Sequence, residues 1–185
     1  MVLKVCPYFS PDSKEFILTE LDSTYASLGE YFDLEYVPYG NADIDYDTQT
    51  VRCQHGEAEC SGNSFEQCAI AIYDNDADKY LPYASCLASK PVDVLEEGDM
   101  AYKSCAEKTS LDWPLIKSCH DDEDVSWTLQ MSAAENTPSY VTYVPWVEVN
   151  GEVIDWFEGE SLSEAICMAY PEDEQPDPCL VALAQ

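Results

Sequence analysis

Four residues of one segment, Cys53, His55, Cys60 and Cys68 in CQHGEAECSGNSFEQC, are of types that either hold zinc or form disulfides. Their spacing matches no common zinc finger. The chain carries nine cysteines in 185 residues, a density that belongs to an oxidising lumen or the cell exterior, where thiols pair. Disulfides are therefore expected, and no metal or cofactor is. A further candidate is Cys6, which ends a short apolar run and precedes Pro7. A thiol reacts as its thiolate, and a nearby helix N-terminus lowers its pKa through unpaired amides and the helix dipole. The better helix start lies at Ser10-Pro11, which sets Cys6 some way from those amides. His55 and His120 form no recognisable Cys/His pair in sequence, so any such pairing must be spatial. His55 has two readings, proton transfer near Cys6 or a structural bond to loop backbone.

Acidic clusters elsewhere fail the tests for calcium. Asp74-Asn75-Asp76-Ala77-Asp78 opens like a calcium loop, yet Lys79 stands at the glycine position and Ser85 at the bidentate glutamate position. Asp43, Asp45 and Asp47 alternate in the same way, with Thr48 and Gln54 at the two critical places. Asp121 to Asp124 reads as a solvated loop. The net charge of −29, from 37 acidic and 8 basic side chains, repels nucleic acid and anionic membrane surfaces. A run of about 20 apolar residues, the length needed to span a bilayer, is missing from the sequence. The amino-terminal residues read directly as strand rather than as a signal peptide, which suggests a trimmed chain from a secreted precursor.

The elements that must position Cys6 follow from periodicity. Residues 2 to 6 form a short buried strand. Ser10 caps a helix with Pro11 at its first position and Asp12 in its first turn, and Ile17, Leu21, Tyr25 and Leu28 give it one apolar face. Phe32, Leu34 and Tyr36 alternate with Asp33 and Glu35 as a second strand running to about Tyr39. A pair of strands at 142 to 149 and 152 to 156 and a helix near 161 to 170 complete the plan. Helix formers occupy Phe65 to Tyr73, Tyr80 to Ala88, Met100 to Glu107 and Val125 to Ala134 between the halves. Residues 1 to 170 are read as one domain, with a helical insertion over roughly 60 to 135. The acidic, proline-containing tail 171 to 185 is the candidate for disorder.

Three segments carry a family resemblance. Cys53 to Cys68 resembles C-Q-H-G-x-x-E-C-x-x-N-x-x-x-x-C, the signature of the gamma-interferon-inducible lysosomal thiol reductase family, at every fixed position. Tyr36 to Ala42, YVPYGNA, and Tyr143 to Gly151, YVPWVEVNG, resemble two further runs of that family. The resemblance implies an α/β, thioredoxin-like fold with a disulfide-stabilised helical insertion. It also implies a site at Cys6-Pro7-Tyr8-Phe9, where the family has a C-x-x-C dithiol. The first cysteine is present and Phe9 replaces the second. Cys6 is then the candidate nucleophile, Pro145 the candidate cis-proline facing it, and Tyr8, Phe9 and Val144 the candidate substrate contacts. Cys53, Cys60, Cys68, Cys86, Cys105, Cys119, Cys167 and Cys179 become structural disulfide candidates in four bridges. Eight cysteines allow 105 pairings; of these, Cys167 with Cys179 is expected to close the C-terminal end.

Two functions compete on this reading. One is a secretory, lysosomal or extracellular thiol reductase homologue whose dithiol chemistry is lost or reduced to monothiol exchange through Cys6, acting on a protein disulfide or a small thiol. The other is a non-catalytic binding or structural module that uses its acidic surface to hold a protein partner in a larger assembly. Without a resolving thiol, Cys6 attacking a disulfide stays trapped until an external thiol releases it.

Overall fold

The computed structural model describes residues 1–6 and 10–183, leaving aside the side chains of Cys6, Val92 and Glu96. Strand β1 (Val2–Cys6) leads to α1 (Pro11–Phe16), which continues through a π-helical turn (Ile17–Leu21) into α2 (Asp22–Leu28). Ser10 starts this rod as the sequence predicts, its hydroxyl accepting from the Ser13 amide at 3.1 Å. Ile17, Leu21 and Leu28 are at most 3% exposed, so the expected apolar face is the buried one. The π turn is not visible in that spacing.

Strand β2 (Asp33–Tyr36) returns parallel to β1, in register Val2 with Asp33 to Val5 with Tyr36. A hairpin of β3 (Asp43–Asp45) and β4 (Thr50–Arg52) follows. The carboxylate of Asp45 accepts from the amides of Asp47 and Thr48 at its tip. This alternating acidic run is therefore a turn.

Six helices then fill the connection: α3 (Glu57–Ile72), α4 (Ala77–Ala88), α5 (Val92–Glu96), α6 (Met100–Lys108), α7 (Trp113–Asp121) and α8 (Glu123–Asn136). The sequence reading missed α5 and α7, and the second had a signal in Asp112. The Asp112 side chain accepts from the Leu115 amide just ahead of Trp113-Pro114, an N-cap with proline in the first turn. Asp76 and Asp122 likewise cap α4 and α8, which gives these acidic clusters local structural work.

Strands β5 (Trp146–Val149) and β6 (Glu152–Val153) are joined by Asn150-Gly151, both at positive φ (52° and 84°), as a tight hairpin turn requires. The sheet order is β2-β1-β5-β6, with β5 antiparallel to β1. Strand β5 is shorter than the 142 to 149 expected, since Pro145 has no N–H to give a ladder. Strand β2 likewise stops at Tyr36, two residues before Pro38.

Leu3, Val5, Val147 and Val149 alternate onto one face and are at most 3% exposed. They join the helical rod and Leu162 and Ile166 of α9 (Leu162–Met168) in the main core. The opposite face carries Val37 and Trp146 against Ala133 of α8 in a smaller cluster. The segment from Pro171 is not the disordered tail expected. It turns back into α10 (Cys179–Ala182), where Cys179 is fully buried and bridged to Cys167. One covalent link outweighs its acidic, proline-containing composition.

Candidate functional site

Four bridges occupy eight of the nine cysteines: Cys53–Cys60, Cys68–Cys119, Cys86–Cys105 and Cys167–Cys179. Three of the four zinc-type residues of the signature, Cys53, Cys60 and Cys68, are thereby consumed as disulfides. Cys6 is the ninth cysteine.

Cys6 ends β1, and its backbone pairs in register with Trp146 of β5. Pro145, the residue before, is buried and joined to Val144 by a cis peptide bond. The fold thus brings the backbones of Cys6 and Pro145 to the same end of adjacent central strands. Val144 is half-buried beside them. Tyr8 and Phe9 lie outside the described residues. The helix that follows begins at Pro11, five positions after Cys6, with Ser10 already bonded to its first turn.

Aromatic side chains flank Pro145. Trp146 packs against Tyr143 (ring centroids 4.9 Å apart) and Tyr140 (5.7 Å), and Tyr143 meets Phe157 edge-on at 5.8 Å. Tyr140 and Phe157 are half-exposed, so apolar ring surface faces solvent next to the Cys6 end of the sheet. The buried carboxylate of Glu148 holds this cluster in place. It accepts from Trp146 Nε1 at 2.7 Å and Tyr140 OH at 2.9 Å.

The signature segment is a lock on the loop after β2. Gly56 takes φ 94°, a conformation that favours glycine, to open α3. The Cys53–Cys60 bridge fastens the preceding loop to the first turn of the helix, and Cys68–Cys119 ties the helix to α7. Gln54 Oε1 accepts from Asn41 Nδ2 at 3.5 Å. Asn63 Nδ2 donates to the Tyr39 carbonyl at 3.3 Å, and Gln67 Nε2 donates to the Pro38 carbonyl at 2.8 Å. The Val37 amide bonds the Val5 carbonyl at 2.8 Å, so this lock reaches the strand end that carries Cys6. His55 contributes its amide, which donates to Glu59 Oε2 at 2.6 Å, with the ring Nδ1 3.5 Å from the same oxygen. The second histidine is structural too. His120 stacks on Phe65 (3.8 Å) with Nδ1 2.9 Å from Ser64 Oγ, and burial lowers its pKa.

One titrating group escaped the sequence reading. Glu66 of α3 is 5% exposed, and Tyr36 OH donates to its Oε2 at 3.3 Å. Desolvation pushes its pKa up to about 8 against the opposing influences of that hydrogen bond and the Lys14 charge. Tyr36 is the register partner of Val5, so Glu66 sits behind the strand end, one residue from Cys6 along the chain. Its only signal in sequence is an acidic residue next to Phe65 and two positions before Cys68 in a helix-forming run.

This arrangement, a cysteine at the end of a central strand beside a cis-proline, on a sheet interrupted by a helical layer, defines a thioredoxin-like protein. DsbA from Mycobacterium tuberculosis, in its reduced form, shares the fold with a TM-score of 0.65 at 16% identity, over 99% of this chain and 87% of that one. The chain belongs to the gamma interferon inducible lysosomal thiol reductase (GILT) family, whose model matches residues 5–109. The goldfish (Carassius auratus) gamma-interferon-inducible lysosomal thiol reductase is 30% identical over 177 residues, 91% of this chain and 67% of the relative. An Arabidopsis thaliana gamma-interferon-responsive lysosomal thiol protein is 31% identical over 166 residues, 86% of this chain and 66% of that protein. The chain therefore spans about two thirds of their length. Among the described residues, no helix is long and apolar enough to cross a membrane.

Proposed function

We propose that this chain is a lumenal or secreted thiol reductase homologue whose two-cysteine chemistry has given way to monothiol exchange through Cys6. The observation that carries the reading is the cysteine inventory: eight are committed to four bridges, and Phe9 stands three residues after Cys6. The Cys6 thiolate attacks one sulfur of a substrate disulfide, forming a mixed disulfide and expelling the other sulfur as thiolate. With no second thiol in the motif, an external small thiol attacks the mixed disulfide and regenerates Cys6. That external thiol ends bonded to the substrate sulfur, a second external thiol displaces the sulfur as thiolate, and the two thiols, now one disulfide, have supplied the two electrons. Pro145 with Val144 and the exposed Tyr140 and Phe157 supply the surface against which the substrate segment lies. The relatives' names and the disulfide content support a lysosomal or extracellular setting.

A second reading, a non-catalytic module that holds a partner, draws on a different observation. The helix begins at Pro11, five residues after Cys6, and Ser10 takes up the Ser13 amide of its first turn, which argues against strong activation of Cys6 by a helix start. Thiol labelling against pH, with the site assigned by mass spectrometry, separates the two. Monothiol exchange requires native labelling of Cys6 with a thiolate pKa well below about 8.5, together with a glutathione adduct. A Cys6 labelled only after unfolding sinks it and leaves the module.

A further inference from the structure

The outer edge of β2 lines an open groove of about 450 Å³ that runs from Leu34 to Pro38. The Asp33 amide donates to the Met1 carbonyl and the Val37 amide to the Val5 carbonyl, at 2.8 Å each. Alternation then turns the N–H and C=O groups of Leu34 and Tyr36 outward, and among the described residues no hydrogen bond reaches them. Helices α3 and α8 form the facing walls, with Ile70, Ala71, Leu129 and Ala133 as their apolar surface. Gln67 adds a polar feature to the wall. It is 94% buried, and its Nε2 is spent on the Pro38 carbonyl, while its Oε1 has no partner among the described residues.

We propose that this groove receives an extended, uncharged or basic polypeptide segment, which adds to β2 as a fifth strand. Leu34 and Tyr36 supply two backbone donor–acceptor pairs at the spacing such a strand needs. Charge selects the occupant. A second copy of this chain would bring two bodies of net charge −29 into edge-to-edge contact, each with Asp33 and Glu35 on the pairing strand. A neutral or lysine-bearing segment meets no such repulsion. The groove ends at Val37 and Pro38, whose loop bonds the residue before Cys6. A segment held there is therefore led toward the Cys6 end of the sheet. This names the substrate class for the proposed thiol exchange and rests on that reading for its purpose, though the binding itself does not need the thiol.

The test uses a fluorescein-labelled, cysteine-free peptide amide of alternating valine and threonine with a lysine at each end, followed by fluorescence anisotropy on the intact protein and on Cys6→Ser. Binding to both is expected. Amide exchange at Leu34 and Tyr36 should slow in the complex. Methylating the peptide nitrogens in one alternating set should weaken binding about tenfold or more, and methylating the other set should not, because only one set faces β2. Ala71→Trp, an exposed position from which the indole fills the groove, should weaken binding comparably. No binding, equal effects of the two methylation sets, or a dimer in sedimentation that Ala71→Trp dissolves would each overturn the proposal. Since the probe has no thiol, failure here leaves Cys6 labelling untouched, and an unreactive Cys6 leaves peptide binding untouched.

Discussion

Replacing Glu66 with glutamine should remove a specific pH dependence of stability. The carboxyl is enclosed by Tyr36 from β2, Lys14 from α1, Tyr83 from α4 and Tyr102 from α6, each electrostatically coupled to it. Burial raises its pKa from 4.5 to about 8. Below pH 4.5 it is protonated in the folded and unfolded chain alike, and its contribution is fully favourable. Between 4.5 and 8 the folded chain keeps a proton that the unfolded chain has lost, so stability falls as pH rises. Above 8 the whole difference is lost, about 5 kcal/mol at 1.36 kcal/mol for each tenfold change in proton affinity.

Between pH 5 and pH 7 the linkage relation gives a loss of about 2.5 kcal/mol, or about 5–10 °C in thermal midpoint for a chain of this size. Glutamine keeps an acceptor for the Tyr36 hydroxyl and stays neutral throughout. Glu66→Gln should therefore match the parent near pH 4.5 and exceed it by about 3 kcal/mol at pH 7. Calorimetric melts of both proteins across pH 4.5 to 8, with the disulfides intact, measure this directly. General charge repulsion in so acidic a chain also eases at low pH, but equally in both proteins, so the difference between the curves isolates Glu66. Parallel curves would refute the reasoning, since they would mean that the carboxyl ionises in the folded chain at an ordinary pH.

Phe9→Cys restores a C-x-x-C pair and, at a fixed concentration of external thiol, should raise the rate of insulin reduction well above the parent's, because the mixed disulfide is then resolved within the protein. Cys6→Ser in the same background should abolish the gain, and absence of a gain in the restored pair would mean that the strand-end geometry no longer supports exchange. The bridges should differ in worth according to the loop each closes. Removing Cys68–Cys119, which spans 51 residues, should cost about 4 kcal/mol, against about 2 kcal/mol for Cys53–Cys60, which spans 7. Urea midpoints of the two Cys→Ala pairs test that order, and equal losses would contradict it.

Strong local signals made the frame around Cys6 legible. Ser10-Pro11 fixed a helix start, and the alternation from Phe32 to Tyr36 fixed a strand, because capping and period-2 burial are decided by neighbouring residues. The signature segment revealed a family but not its own mechanics, since the partners of Asn63 and Gln67 are backbone carbonyls more than 20 residues away, and carbonyls leave no mark in sequence. Of the four bridges, Cys167–Cys179 was legible as the closure of the C-terminal end, while the other three join cysteines that nothing local singles out as partners. Glu66 could not be recognised as buried because its neighbours Tyr36, Tyr83 and Tyr102 come from three different elements. The tail's composition pointed to disorder, whereas the Cys167–Cys179 link expected alongside it ties α10 to α9.

The signature and the thiol chemistry are separable in this fold. Gln54, Gly56, Asn63 and the bridges of Cys53 and Cys68 act on the Pro38–Asn41 loop and on the packing of α3. The loop, the cis-proline and the open β2 edge are all in place in a chain that carries Phe9. A chain under selection for holding extended polypeptide would keep all of these features after losing the resolving thiol. The peptide-binding measurement and Phe9→Cys therefore ask different questions of the same strand end, one about what the site holds and the other about what it can still do.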